Sequence, residues 1–172
     1  MNRKTSVFCL FLTFTLSGLI ADAEQTVQGK SMNRVTFERN LGVSADQVWP
    51  VLADFGGFLK WAASGSIDIE GEGPGMIRRI NLEGQAGLIA ERADVIDHDT
   101  KTLVYTLVEG NPIGMASYRA RVQLHAMGDD VCSISWLGEF EAVDGADADT
   151  VVTALEGAYI GMTTALEAYV MQ

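Results

Sequence analysis

Cysteine and histidine are both scarce in this chain, with 2 of each among 172 residues. Cys9 lies inside an apolar N-terminal run, so Cys132 alone remains to the rest of the chain, and a single cysteine makes no internal disulfide. The domain must therefore fold on its core. Cys132 falls on an apolar strand face and reads as a buried, inert thiol. His98 in a turn and His125 on the polar side of a strand offer no metal-ligand spacing, and neither is well placed for acid–base work. The acidic turns at 97–99 and 144–149 do not match the calcium-loop pattern and read as solvated surface. No Ser/His/Asp set and no nucleotide-cofactor motif is evident, so no cofactor is expected. Positive charge is scarce too. Lys and Arg number 12 against 23 Asp and Glu, a net charge of −11. Such a surface repels phosphate backbones and argues against nucleic acid. It serves solubility, and it would also suit a basic protein partner.

The N-terminus reads as a cleaved secretory signal over residues 1–23. Arg3 and Lys4 begin it, an apolar run spans 7–20, and Ala21-Asp22-Ala23 has the small-x-small pattern of a cleavage site. The run falls short of the roughly 20 residues that span a bilayer, so no stable membrane insertion is expected after cleavage. A periplasmic or secreted protein follows. Residues 24–172 are then one domain of ordinary size.

What the chain has in abundance is two-residue apolar rhythm. After a first strand around Val35, Phe37 and Leu41, Ser44 and Gln47 form a capping box for a helix carrying Val48, Trp49, Val51 and Leu52. Pro50 should bend or shorten that helix. A second short helix is expected over 58–63, then a strand around Ile67 and Ile69. The glycine-rich segment 71–75 is followed by another strand rather than by a helix, so it reads as a hairpin turn and not a phosphate loop. Alternating stretches at 76–82, 88–96, 103–108, 115–127 and 131–141 follow with short turns, and an amphipathic helix over 147–170 comes last. The expected class is α+β: a seven-stranded antiparallel sheet whose one face a long C-terminal helix must cover.

Alternate strand residues share a face. Met76, Arg78, Ile80 and Leu82 go inward together, as do Glu91, Ala93 and Val95, and Leu103, Tyr105 and Leu107. Tyr118, Ala120, Val122 and Leu124 follow on the next strand, and Cys132, Ile134, Trp136, Gly138 and Phe140 on the last. Val151, Leu155, Ala158, Tyr159, Met162, Leu166 and Tyr169 share the helix face, where Gly157 and Gly161 leave room for a ligand or a close strand, or serve local packing. The inward face thus holds two charges, Arg78 and Glu91, on adjacent strands. They must pair, or meet water or ligand. A pocket lined by Arg78, Ile80, Leu82, Leu88, Glu91, Tyr105, Leu107 and Tyr118, with apolar wall from Trp136, Phe140, Leu155, Tyr159 and Met162, fits the pattern of a small-molecule site. The same residues could instead form a core with one structural ion pair.

Several segments carry a family resemblance. They are Val43-Ser44-Ala45-Asp46-Gln47-Val48-Trp49 with Asp54-Phe55 and Trp61, the Gly73-Pro74-Gly75-Met76-Ile77-Arg78 turn, Glu91-Arg92, Tyr105, Glu109-Gly110, Tyr118-Arg119-Ala120 and Trp136-Leu137-Gly138-Glu139-Phe140. In this order they resemble the START-like (Bet v 1-like, SRPBCC) superfamily, and within it the bacterial polyketide cyclase/dehydrase and lipid-transport branch. The resemblance implies a helix-grip fold, a seven-stranded antiparallel sheet curled round the long C-terminal helix. The chain also looks like the abscisic-acid receptors of that superfamily. Ala86, Gly87 and Ile89 lie where their gate loop is, and Pro112 and Ile113 where their latch is. That likeness implies that these loops border a cavity entrance. Ile89 stands in place of the gate proline, the latch lacks its His-Arg pair, and the carboxylate-binding lysine has no counterpart near residues 64–66, so hormone binding is not carried over.

Activities in the superfamily range from lipid carriage to aromatic cyclisation, and fold alone does not choose among them. The residues favour an exported, non-enzymatic carrier or sensor of a hydrophobic small molecule or lipid. Two alternatives stay open. One is a cyclase or dehydratase with Glu91 as its base, a tyrosine as donor and Arg78 as anion holder. The other is an acidic accessory protein that docks a basic periplasmic redox partner.

Overall fold

The computed structural model describes residues 32–172. The signal segment read at 1–23 lies outside the described residues. Alternating Val35, Phe37 and Leu41 build β1 (Asn33–Leu41). The capping box then starts α1 (Ala45–Ala53): Ser44 Oγ accepts from the Gln47 amide at 3.2 Å, and Gln47 Oε1 accepts from the Ser44 amide at 3.1 Å. Pro50 lies inside α1, which ends one turn later. Trp49 Nε1 donates to His98 Nδ1 at 2.9 Å, tying α1 to the turn beyond β4. His98 thus serves the packing of α1.

The second short helix is not at 58–63. A 3-10 helix occupies Phe55–Lys60 instead. Phe55 is fully buried, and its ring and carbonyl both serve Arg78, so the chain must turn as soon as α1 ends. Five more strands continue the sheet: β2 (Gly65–Glu70), β3 (Ile77–Leu82), β4 (Ile89–Asp97), β5 (Thr102–Glu109) and β6 (Met115–Ala126). After β7 (Cys132–Ala142), α2 (Ala148–Val170) begins at the Asp147 cap. All seven strands form one sheet in the order β1-β7-β6-β5-β4-β3-β2, with every pair antiparallel.

This is the helix-grip arrangement: a curled sheet whose inner face packs against α2. Arg39 on β1 bonds Thr164 at 2.9 Å and Glu167 at 2.5 Å, and the Gly42 amide bonds the same carboxylate, so α2 is clamped to the sheet edge. Leu41, Ile134, Phe140, Tyr159 and Leu166 are fully buried between them.

Two irregularities overturn simple parity. A register shift at Asp94 turns Val95 outward, where it is 39% exposed, and brings Ile96 to the core margin. A shift between Met115 and Ser117 brings Met115 inside, although alternation from Tyr118 puts it out. On α2, Gly157 and Gly161 face open space, so they make room for neither a strand nor a ligand. Thr163, not expected inside, is fully buried and donates to the Tyr159 carbonyl at 2.8 Å.

Candidate functional site

Between the inner sheet face and the middle of α2 lies a cavity of about 160 Å³. β3 contributes Arg78, Ile80 and Leu82; β4 contributes Ile89 and Glu91; β5 and β6 contribute Tyr105, Met115 and Tyr118. From α2 come Leu155, Ala158, Tyr159 and Met162. Pro112 and Ile113 stand at its mouth with Gln85, and Phe58 of the 3-10 helix meets it from the other end. The wall is predominantly apolar.

Its polar features are few and ordered. Arg78 and Glu91 are directly opposite each other across β3 and β4. Arg78 Nε and Nη2 both reach Glu91 Oε2, at 2.8 and 2.7 Å, while Nη1 donates to the Phe55 carbonyl at 3.0 Å. The guanidinium lies over the Phe55 and Phe58 rings, at 3.9 and 4.3 Å from their centroids. A charge removed from water is thereby paired, hydrogen-bonded and stacked, which makes its burial tolerable. Both contacts fall on one carboxylate oxygen. Among the described residues none bonds Glu91 Oε1, and Glu91 lines the cavity.

Beside this pair stand three tyrosines. The Tyr118 and Tyr159 hydroxyls are 2.8 Å apart, and the Tyr105 ring meets Tyr118 edge-on. Burial pushes the Tyr159 phenol up to about 12. Burial, and next the Glu91 charge, push Tyr105 up; burial, and next the neighbouring tyrosines, do the same for Tyr118. All three remain protonated at neutral pH, able both to donate and to accept. Tyr159 reaches this position because β7 has a glycine under it. A Cβ on Gly138 would come within 2.1 Å of the Tyr159 hydroxyl.

That same packing removes several residues from the expected pocket. Tyr159 stacks on Trp136 with ring centroids 5.1 Å apart and fills the space before β7. Trp136 and the fully buried Phe140 are therefore core residues outside the cavity wall. Leu107 sits beside the register shift between β4 and β5 and packs against the core margin. Leu88, Ala86 and Gly87 also stay out of the wall. Their loop supplies Gln85 and Ile89, while the Leu88 carbonyl abuts Gly110, where a Cβ would come within 2.3 Å. The cavity brings together Arg78, Ile80, Leu82, Glu91, Tyr105, Tyr118, Leu155, Tyr159 and Met162, with Ile89, Pro112 and Ile113 of the entrance set. Phe58, Gln85, Met115 and Ala158 join them unforeseen. Ala158 shared the apolar helix face and could have been included. Phe58 and Met115 depend on the 3-10 helix and on a bulge, neither of which alternation reveals.

Residues 32–171 match the family described as polyketide cyclase / dehydrase and lipid transport. The chain belongs to that family. No curated protein gives a significant sequence match. Among solved structures, the fold is similar to norcoclaurine synthase from Thalictrum flavum in complex with dopamine and hydroxybenzaldehyde, with TM-score 0.66 and 21% identity over 95% of this chain and 97% of that one. It is also similar to the Zhui aromatase/cyclase from Streptomyces sp. R1128, with TM-score 0.70 and 18% identity over 82% and 94% of the two chains. A third is XoxI from Bacillus cereus, with TM-score 0.71 and 18% identity over 81% and 96%. At these identities the likeness establishes the fold. What happens in the cavity follows from its own residues.

Proposed function

We propose that the protein is an exported binder and carrier of a small, mostly apolar molecule, held between β3–β6 and α2. The observation that carries this reading is the cavity itself: about 160 Å³ of largely apolar space with the Arg78–Glu91 pair and tyrosine hydroxyls gathered on its wall. Export is supported by the basic start, apolar run and small-x-small site within residues 1–23. The family supports a hydrophobic small-molecule ligand. Size narrows the choice. Pockets for drug-sized ligands measure roughly 300–1,000 Å³, and an apolar cavity of roughly 150 Å³ holds a single benzene. In the present shape the guest is of single-ring size, and a lipid tail or polyketide would require the 84–88 and 110–114 loops to part. Protein purified from its native host, extracted with organic solvent and analysed by mass spectrometry, should release a stoichiometric small amphipathic molecule. Solvent extracts that match those of a Leu155→Trp variant, whose cavity is filled, would defeat the carrier reading.

The enzyme reading has its own support. Glu91 Oε1 lacks a partner among the described residues, and protonated phenols stand next to it, the combination of acceptor and donor that acid–base chemistry at a carbonyl requires. Under that reading Glu91→Gln abolishes turnover of an aromatic or polyketide substrate and leaves its binding intact. Net charge is the sole support for a basic periplasmic partner, whose association would weaken steeply with salt.

A further inference from the structure

Behind Arg78 lies a second, much smaller chamber of about 10 Å³. Phe58, Arg78 and Tyr105 wall both it and the main cavity, so the guanidinium forms part of the partition. Trp61 and Trp136 line the chamber from opposite parts of the fold, the end of the 3-10 helix and β7. Both indole nitrogens are buried, and neither finds an acceptor among the described residues. Trp136 as a whole is 3% exposed. Trp49, by contrast, spends its N–H on His98. Buried donors are nearly always satisfied, and an indole N–H can only donate. Two such donors on residues that line one void call for an acceptor from outside the protein's own groups. Arg78 adds to the surplus. Its hydrogen bonds to Glu91 and Phe55 use two of the five guanidinium N–H groups, and Nη2 meets Glu91 as an ion-pair contact.

The chamber's size and charge narrow what that acceptor is. About 10–15 Å³ holds one water-sized atom group. Glu91 and Asp54 stand on the two sides of Arg78, Asp54 lining the chamber and Glu91 the main cavity, so a second negative charge there is disfavoured. We propose that the chamber behind Arg78 is a polar subsite that takes one neutral oxygen acceptor, bonded by the indole N–H groups of Trp61 and Trp136. The oxygen comes either from a resident water or from a carbonyl or ether at the deep end of a ligand in the main cavity. The ligand source rests on the small-molecule reading given above; the water source does not.

The two sources separate in one NMR experiment on the 15N-labelled protein. Trp→Phe variants assign the three indole N–H resonances, and Trp49 is the internal reference because its partner is His98. Cross-relaxation from each indole proton to water is recorded alone, then with acetophenone, then with ethylbenzene, which has similar shape but no oxygen. The Met162 methyl resonance reports occupancy of the main cavity. Water cross-peaks at both Trp61 and Trp136 that survive acetophenone identify a resident water and support the subsite. Downfield movement of both indole protons with acetophenone, absent with ethylbenzene, identifies a ligand oxygen and also supports it. Indole protons of Trp61 and Trp136 that show no water cross-peak and ignore acetophenone overturn the proposal. A Met162 methyl that moves with neither probe counts against single-ring binding in the main cavity, and the water cross-peaks then decide the subsite on their own.

Discussion

Glu91→Leu is the most informative single perturbation of this fold, because it separates charge pairing from packing. The side chains of Arg78 and Glu91 are 7% and 12% exposed, so neither charge has much water to fall back on. Removing Glu91 leaves a buried guanidinium with only the Phe55 carbonyl and the aromatic rings beneath it. Breaking a buried pair in this way costs about 3–5 kcal/mol. That is a large part of the roughly 5–15 kcal/mol that holds an ordinary domain together. Arg78→Met loses the same pair. It also loses the stacking on Phe55 and Phe58, about 0.5–2 kcal/mol, and strands Glu91. The double variant Arg78→Met/Glu91→Leu leaves no orphan charge, and replacing both ions by apolar groups is frequently neutral or stabilising. Urea denaturation of the four proteins should therefore give a coupling of about 3 kcal/mol or more, with the double variant more stable than either single one. Single variants that each lose less than about 1 kcal/mol, and whose losses add, would refute the view that these charges depend on each other.

Gly138→Ala should destabilise by about 1–3 kcal/mol, since its Cβ would fall 2.1 Å from the Tyr159 hydroxyl. Combining it with Tyr159→Phe, which removes that oxygen, should recover part of the loss in thermal unfolding. Ile113 has φ of 50°, a left-handed conformation that is strained for a β-branched residue. Ile113→Gly should raise stability by about 1 kcal/mol in urea melts, and an unchanged or lower midpoint would show that its side chain contributes more than the strain removes. Alkaline pH should also unfold the protein. Burial holds Tyr159 at about 12, above the value of about 10 for a free phenol. Its contribution is thus complete below pH 10 and is lost as the pH rises towards 12. Tyr105 and Tyr118 shift in the same direction, so urea midpoints measured from pH 8 to 12 should fall beyond pH 10, and less so in Tyr105→Phe.

The sheet and its covering helix were legible because alternation survives wherever strands pair without interruption. Arg78 and Glu91 could be placed on the same inward face of adjacent strands from parity alone, and the regular register of β3 and β4 then sets them directly opposite each other. Parity failed where the backbone spends an extra residue. Val95 and Met115 both lie beside register shifts, and nothing in their side chains announces a bulge. The site was harder to read because parity tells which residues face inward but not which of them touch one another. Trp136, Phe140 and Tyr159 all face the interior, and the pattern offers them equally to a ligand. Only the packing of Tyr159 over Gly138 decides that Trp136 is covered and Tyr118 is not. The loops are legible only in part. Proline and glycine mark where they turn, but Gln85 enters the wall and Ala86 does not for reasons of loop path.

The position of Tyr159 also explains how one sheet serves two purposes. Apart from the small chamber behind Arg78, the interior from Trp49, Leu52 and Phe55 to the Trp136–Tyr159 stack is close-packed, and this half supplies the burial needed where the described residues hold no disulfide. Beyond the stack the same sheet and helix diverge around Leu82, Ile89, Ala158 and Met162, and the space between them is the cavity. Arg78, Glu91 and the tyrosine hydroxyls all lie at this boundary. A fold selected for stability alone would place apolar groups there, because an ion pair in that position is no more favourable than packed aliphatic side chains. Their location against open space, rather than in the solid half, supports the ligand-binding reading proposed above. The boundary is set by one absent methyl group on β7, so Gly138 governs the cavity without lining it.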